Sequence, residues 1–151
     1  MIKIDYNLTG AGWAECSVES DHQTITISAS YLGDALGDLA SAVVEILSGQ
    51  DETRASFWEE PGEYRWIFKK TDSYISLTII EFNELMSKKK DNEGNVIFQK
   101  ICTTNELQSA MKECLDRVLV NDSPESYKDK WVEHDFPSEA HAKLGHMNRP
   151  L

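Results

Sequence analysis

Between Ile2 and Ser30 apolar and polar side chains alternate in three successive runs, and this period of two limits the fold more than any other feature. Ile2, Ile4, Tyr6 and Leu8 alternate with Lys3, Asp5, Asn7 and Thr9. After the turn Gly10-Ala11-Gly12, Ala14, Cys16 and Val18 fall on one face, with Trp13, Glu15, Ser17 and Glu19 on the other. Ser20-Asp21-His22 supplies a second turn, and residues 23–30 set Ile25, Ile27 and Ala29 inward against Thr24, Thr26 and Ser28 outward. Successive side chains of a strand point to opposite faces, so each run predicts a half-buried strand.

The period then changes. Leu32, Leu36, Leu39, Val43, Ile46 and Leu47 recur at helical spacing, which predicts a helix over residues 32–48 that Gly49 stops. Asp34 and Asp38 stack one turn apart near its N-terminal end, where the helix dipole accepts negative charge. Three more strands are predicted over residues 54–60, 63–70 and 74–82, the last with Ile75, Leu77 and Ile79 toward the core. A polar connection containing Lys88-Lys89-Lys90 leads to another strand over residues 96–102. Thr103-x-x-Glu106 has the form of a capping box and opens a second helix whose apolar stripe is Leu107, Met111, Cys114 and Val118.

The predicted fold class is therefore α+β, with antiparallel strands in the order βββα then ββββα and two main helices. Two sheets packed around the helices, or one curved sheet with both helices on one face, would satisfy this order. Residues 1–121 read as a single α+β domain, and residues 122–151 as a C-terminal tail packed on it. Ser123-Pro124 opens a short helix there. Trp131 and Phe136 pin the tail, and residues beyond Ala140 are expected to fray.

Charge enters because its distribution is uneven. The 151 residues carry a net charge of −11. Residues 1–63 hold 12 acidic side chains against only Lys3 and Arg54, a local net charge of −10. Such a surface repels phosphate backbones and attracts basic partners, with an association rate that falls as salt rises. No apolar run approaches the length that a bilayer needs, and the start MIKIDYNLTG lacks the features of a signal peptide. Cys16, Cys102 and Cys114 are odd in number and show no C-x-x-C spacing, which fits reduced thiols in a cytoplasm.

The run FWEEPGEYRW, residues 57–66, reads as a hairpin with Pro61-Gly62 at its tip. A two-residue type II turn sets Phe57 opposite Trp66 and Trp58 opposite Arg65, although such a turn twists a hairpin the wrong way and a longer loop with a shifted register stays open. Ala55, Phe57, Tyr64, Trp66 and Phe68 then face the core. Ser56, Trp58, Glu60, Glu63 and Arg65 face outward, with Arg65 placed for a cation–π contact on Trp58. Trp13 likewise stands among Glu15, Ser17 and Glu19. An indole on a polar sheet face is either covered by the chain tail or open to a partner, and exposed indoles rimmed by carboxylates are natural anchors. The candidate partner-binding residues are thus Trp13, Glu15, Trp58, Glu60, Glu63 and Arg65.

Catalytic and metal chemistry find weaker footing. A working carboxylate pair needs a cleft that drives two pKa values apart, and the hairpin tip supplies no burial for Glu59, Glu60 or Glu63. His134, His141 and His146 lack the spacing of ligands on one helical face and read as surface histidines. Gly10-x-Gly12 lacks the third glycine of a dinucleotide site. No catalytic residue, metal ligand or cofactor is assigned.

The motifs LTGAGWAE, residues 8–15, and WEEPGEYRW, residues 58–66, resemble those of a scattered group of short bacterial proteins. That group is similar in habit to the small immunity proteins that accompany polymorphic toxins. The resemblance implies an acidic cytoplasmic α+β domain that blocks a toxin by occupying its active site or substrate groove. It carries over no functional residue. The strand and helix order also resembles the whirly fold, two ββββα units that bind single-stranded nucleic acid. This chain departs from it with three strands in the first unit and an acidic surface, so nucleic-acid binding is not implied.

The sequence reading is a binding module that engages a basic protein, a toxin domain being the type case. Its alternatives are a small enzyme using the glutamate cluster and a structural domain that oligomerises through its tryptophans.

Overall fold

The computed structural model describes residues 1–84, 88–132 and 134–147. Strands β1 (Lys3–Gly10), β2 (Trp13–Glu19) and β3 (Thr24–Ser30) form an antiparallel sheet in that order, followed by helix α1 (Ala35–Leu47). Strands β4 (Glu52–Trp58), β5 (Glu63–Thr71), β6 (Tyr74–Phe82) and β7 (Asn95–Thr103) form a second, followed by α2 (Thr104–Asn121). Two further helices, α3 (Pro124–Trp131) and α4 (Ser138–His146), complete the order βββα-ββββα-α-α. The architecture is α+β with two separate sheets, which decides between the arrangements that the sequence allowed.

Each main helix follows one sheet and packs on the other. Helix α1 leaves β3 and lies against β4 and β5, while α2 leaves β7 and returns to β1. The exchange gives both sheets one covered face. Ile4, Tyr6, Ala14, Cys16, Val18, Ile27 and Ala29 of the first sheet share a single core with Phe57, Trp66, Phe68, Ile75, Leu77 and Ile79 of the second. These are the alternate residues that the period of two set inward.

Local chemistry fixes the helix ends. Asp34 caps α1, its Oδ1 accepting from the Gly37 amide at 3.2 Å, so the helix starts at Ala35 rather than near Leu32. Thr103 and Glu106 close the capping box reciprocally at 3.0 and 3.1 Å. Ser123 accepts from the Ser126 amide at 3.1 Å ahead of Pro124.

The tail is part of the core. Tyr127 and Trp131 are fully buried, and the Trp131 ring lies edge-on to Tyr6 at 6.2 Å. Tyr6 meets Phe57 at 6.2 Å and Phe57 meets Trp66 at 5.2 Å, so one run of rings crosses from tail to second sheet. Beyond Ala140, α4 continues to His146, with Leu144 buried against α1 and α2. The apolar Leu144 supplies an anchor that composition alone did not weigh.

Candidate protein-interaction surface

The hairpin at residues 57–66 differs from its predicted register. Phe57 pairs with Tyr64 and Trp58 with Glu63, so the connection spans four residues instead of two. The displacement is even, hence Ala55, Phe57, Trp66 and Phe68 still face the core. Gly62 is not in the left-handed region, so the tip is not a type II turn. Its glycine serves close approach instead: a Cβ there would stand 2.5 Å from the Phe82 carbonyl oxygen.

Two of the predicted site residues, Glu63 and Arg65, stay on the outer face but are covered there rather than open to a partner. Glu63 is only 4% exposed. Its Oε2 accepts from Ser56 Oγ at 2.9 Å and from Arg65 Nε at 3.4 Å. Arg65 in turn donates to Asp91 Oδ1 at 2.9 Å and to the Lys89 carbonyl at 3.0 Å. Its guanidinium lies 4.2 Å over the Phe82 ring, so the cation–π contact expected with Trp58 is made with Phe82. Arg54 adds a two-pronged contact to Asp91 at 2.8 and 2.6 Å. This network fastens residues 89–91 over the small apolar cluster of Ile67, Ile80 and Phe82 on the outer face of the second sheet. Hydrogen bonds from Arg54 and then Arg65 hold the Asp91 carboxyl down at about 2.

The remaining candidates gather where the two sheets adjoin. Trp13 is half-buried and pairs with Ser30, and the exposed Glu15 pairs with Ser28. Ser28 Oγ donates to Glu59 Oε1 at 2.5 Å, which ties the hairpin tip to β3. The neighbouring Trp58, also half-buried, packs on Gly33, where a Cβ would lie 3.3 Å from the indole Cε3. A larger residue at 33 would require that ring to give by a few tenths of an ångström. Glu60 stands exposed beside it. The outer face of the first sheet carries mostly Ser, Thr and Asn side chains, and its Asp5 is tied to Arg117 at 3.1 Å. Carboxylates do not tile it evenly.

The larger concentration of negative charge lies elsewhere. Asp34, Asp38, Ser41 and Glu45 form one stripe along α1, and residues 135–140 with Lys143 form the opposite wall of an open groove of about 690 Å³. Asp135 and Glu139 are bridged to Lys128 and Lys143 at 3.3 and 3.4 Å. Asp34, Asp38 and Glu45 have no ion pair among the described residues. Burial and then the Asp34 charge push the Asp38 carboxyl up to about 6. Asp34 is raised too, by burial, with His134 and the Gly37 amide acting against the shift. Sequence reasoning noted the Asp34–Asp38 pair but missed the groove. The signal was the helical spacing of residues 34, 38, 41 and 45, whereas the facing wall comes from the tail.

Burial pushes the thiols up, to about 11 at Cys102 and about 12 at Cys114, away from nucleophilic thiolate. Burial and then Glu59 raise Tyr64 to about 12. Glu60 is exposed while Glu63 is occupied by Ser56 and Arg65, so the hairpin glutamates do not share a desolvated cleft. Among the described residues, no group of three or more His, Cys, Asp or Glu is placed to hold a metal ion. No described helix is long and apolar enough to cross a membrane.

No protein-family profile and no curated protein matches the chain. Among solved structures it is similar to a chain of the CdiA-CT/CdiI toxin and immunity complex from Enterobacter cloacae. The TM-score is 0.52 at 12% identity, over 77% of this chain and 99% of that chain. At that identity the likeness is one of fold.

Proposed function

We propose that this protein is a non-catalytic binding module of the immunity type, which neutralises a basic partner such as a toxin domain by covering it. The observation that carries the reading is the pair of half-exposed indoles, Trp13 and Trp58, on the outer faces of adjoining sheets with Glu15 and Glu60 exposed beside them. Indoles supply large apolar contact area, and carboxylates at the rim steer a cationic surface toward it. Glu63 and Arg65 act indirectly, by holding the hairpin that presents Trp58. The similarity in fold to a chain from a toxin and immunity complex supports the same reading. Three free, buried cysteines support a reducing compartment such as the cytoplasm as its place of action.

The test is recovery of the tagged protein from its own host at low and at high salt. A stoichiometric basic protein should be retained at low salt, released by high salt, and lost from a Trp13→Ala, Trp58→Ala variant. Failure to retain any basic protein at low salt overturns the reading.

A further inference from the structure

The groove beside α1 begins one residue along the chain from the contact of Trp58 with Gly33. Gly33 lies beneath Trp58, and Asp34, the next residue, lines the groove mouth. Among its mostly polar lining, Val44 and the half-exposed Pro137 and Ala140 supply apolar surface. Its two walls differ in charge balance. The carboxylates of the 135–140 wall already have lysine partners, whereas Asp38 and Glu45 point to solvent unpaired among the described residues. A volume near 690 Å³ accommodates several side chains of a bound segment.

We propose that this groove receives a lysine- or arginine-bearing segment of the partner, which lays an apolar side chain on that apolar surface and sets its cations against Asp38 and Glu45. The inference rests on the binding role proposed above and names the part of the partner that enters. An anionic or purely apolar occupant would leave the α1 stripe uncompensated in a partly desolvated site, at a cost in binding. A cationic one relieves the repulsion between Asp34 and Asp38.

The experiment titrates isotope-labelled protein with the peptide Lys-Leu-Lys-Lys-Leu-Lys and, as control, Glu-Leu-Glu-Glu-Leu-Glu, following backbone amide resonances. Shifts should concentrate at residues 34–45 and 135–143 with the basic peptide and be absent with the acidic one. The Asp38→Asn, Glu45→Gln variant should bind the basic peptide about 10-fold more weakly, roughly 1.4 kcal/mol. Asp34 is spared because it caps α1. Shifts centred on Glu15 and Glu60, or an unchanged affinity in the double variant, overturn the proposal. The two readings fail separately. A natural partner held equally well by the double variant removes the groove and keeps the binding role. Peptide binding in the groove with no basic partner in cells does the reverse.

Discussion

Arg65 is joined to Asp91 across 26 residues of chain, its Nη1 2.9 Å from the Asp91 Oδ1, while its Nε faces the buried carboxylate of Glu63. One guanidinium thus links the hairpin to residues 89–91. Arg65→Ala should destabilise the fold by about 3 kcal/mol, because it strands Glu63 as a buried charge. Adding Glu63→Gln should recover part of that loss. Urea unfolding of the single and double variants measures both, and a neutral Arg65→Ala would refute the role.

Asp91 makes the same network sensitive to acid. Its folded-state pKa of about 2 lies below the roughly 3.9 of an unfolded chain. The stabilisation is present above about pH 4 and is lost as pH falls through about 2. Asp91→Asn should therefore cost stability at neutral pH and progressively less at about pH 2, as thermal melts across that range would show.

Asp38 behaves in the opposite sense. Its folded-state pKa is raised to about 6, so the ionised form is disfavoured by folding, and stability falls as pH rises from about 4 through about 6. Asp38→Asn should melt higher than the parent near pH 7.5 and equal to it near pH 4. The gain should stay below about 1 kcal/mol, because the side chain reaches solvent and water screens the repulsion. A lower melting temperature at pH 7.5 would contradict this.

For the proposed interface, Trp13→Ala and Trp58→Ala should each weaken partner binding by about 2 kcal/mol. Glu63→Gln should leave affinity unchanged while lowering stability, since its carboxylate is occupied inside the protein. Calorimetric titration beside unfolding curves separates the two effects. Equal affinity for the parent and both tryptophan variants would move the interface elsewhere.

Gly62→Ala should cost about 1–3 kcal/mol, because its Cβ would meet the Phe82 carbonyl oxygen and backbone must shift to admit it. Denaturant midpoints of this variant and of Thr103→Ala, which should lose about 1 kcal/mol with its cap, calibrate the two local effects.

Much of the fold was legible because its signals act within a few residues. Alternation identified the inward sets Ile4 and Tyr6, Ala14 to Val18, and Ile75 to Ile79. The Thr103–Glu106 box and the Ser123-Pro124 start were readable as chemistry between near neighbours. The hairpin register was not, because Pro61 and Gly62 fit two loop lengths, and the packing of Gly62 against the Phe82 backbone is a contact between segments distant in sequence. Leu144 likewise looked like tail until its packing on α1 and α2 was visible.

Charge shows the boundary most plainly. The amino-acid sequence by itself determined that acidic groups dominate residues 1–63, which side chains alternate, and where α2 is capped. Only the tertiary structure decided which carboxylates are neutralised. Arg117 reaches Asp5 across 112 residues and Arg65 reaches Asp91 across 26, while Asp38 and Glu45 are left facing a groove whose other wall is the tail. Alternation and capping depend on backbone geometry over one or two turns, whereas charge pairing depends on which distant segments the core brings together.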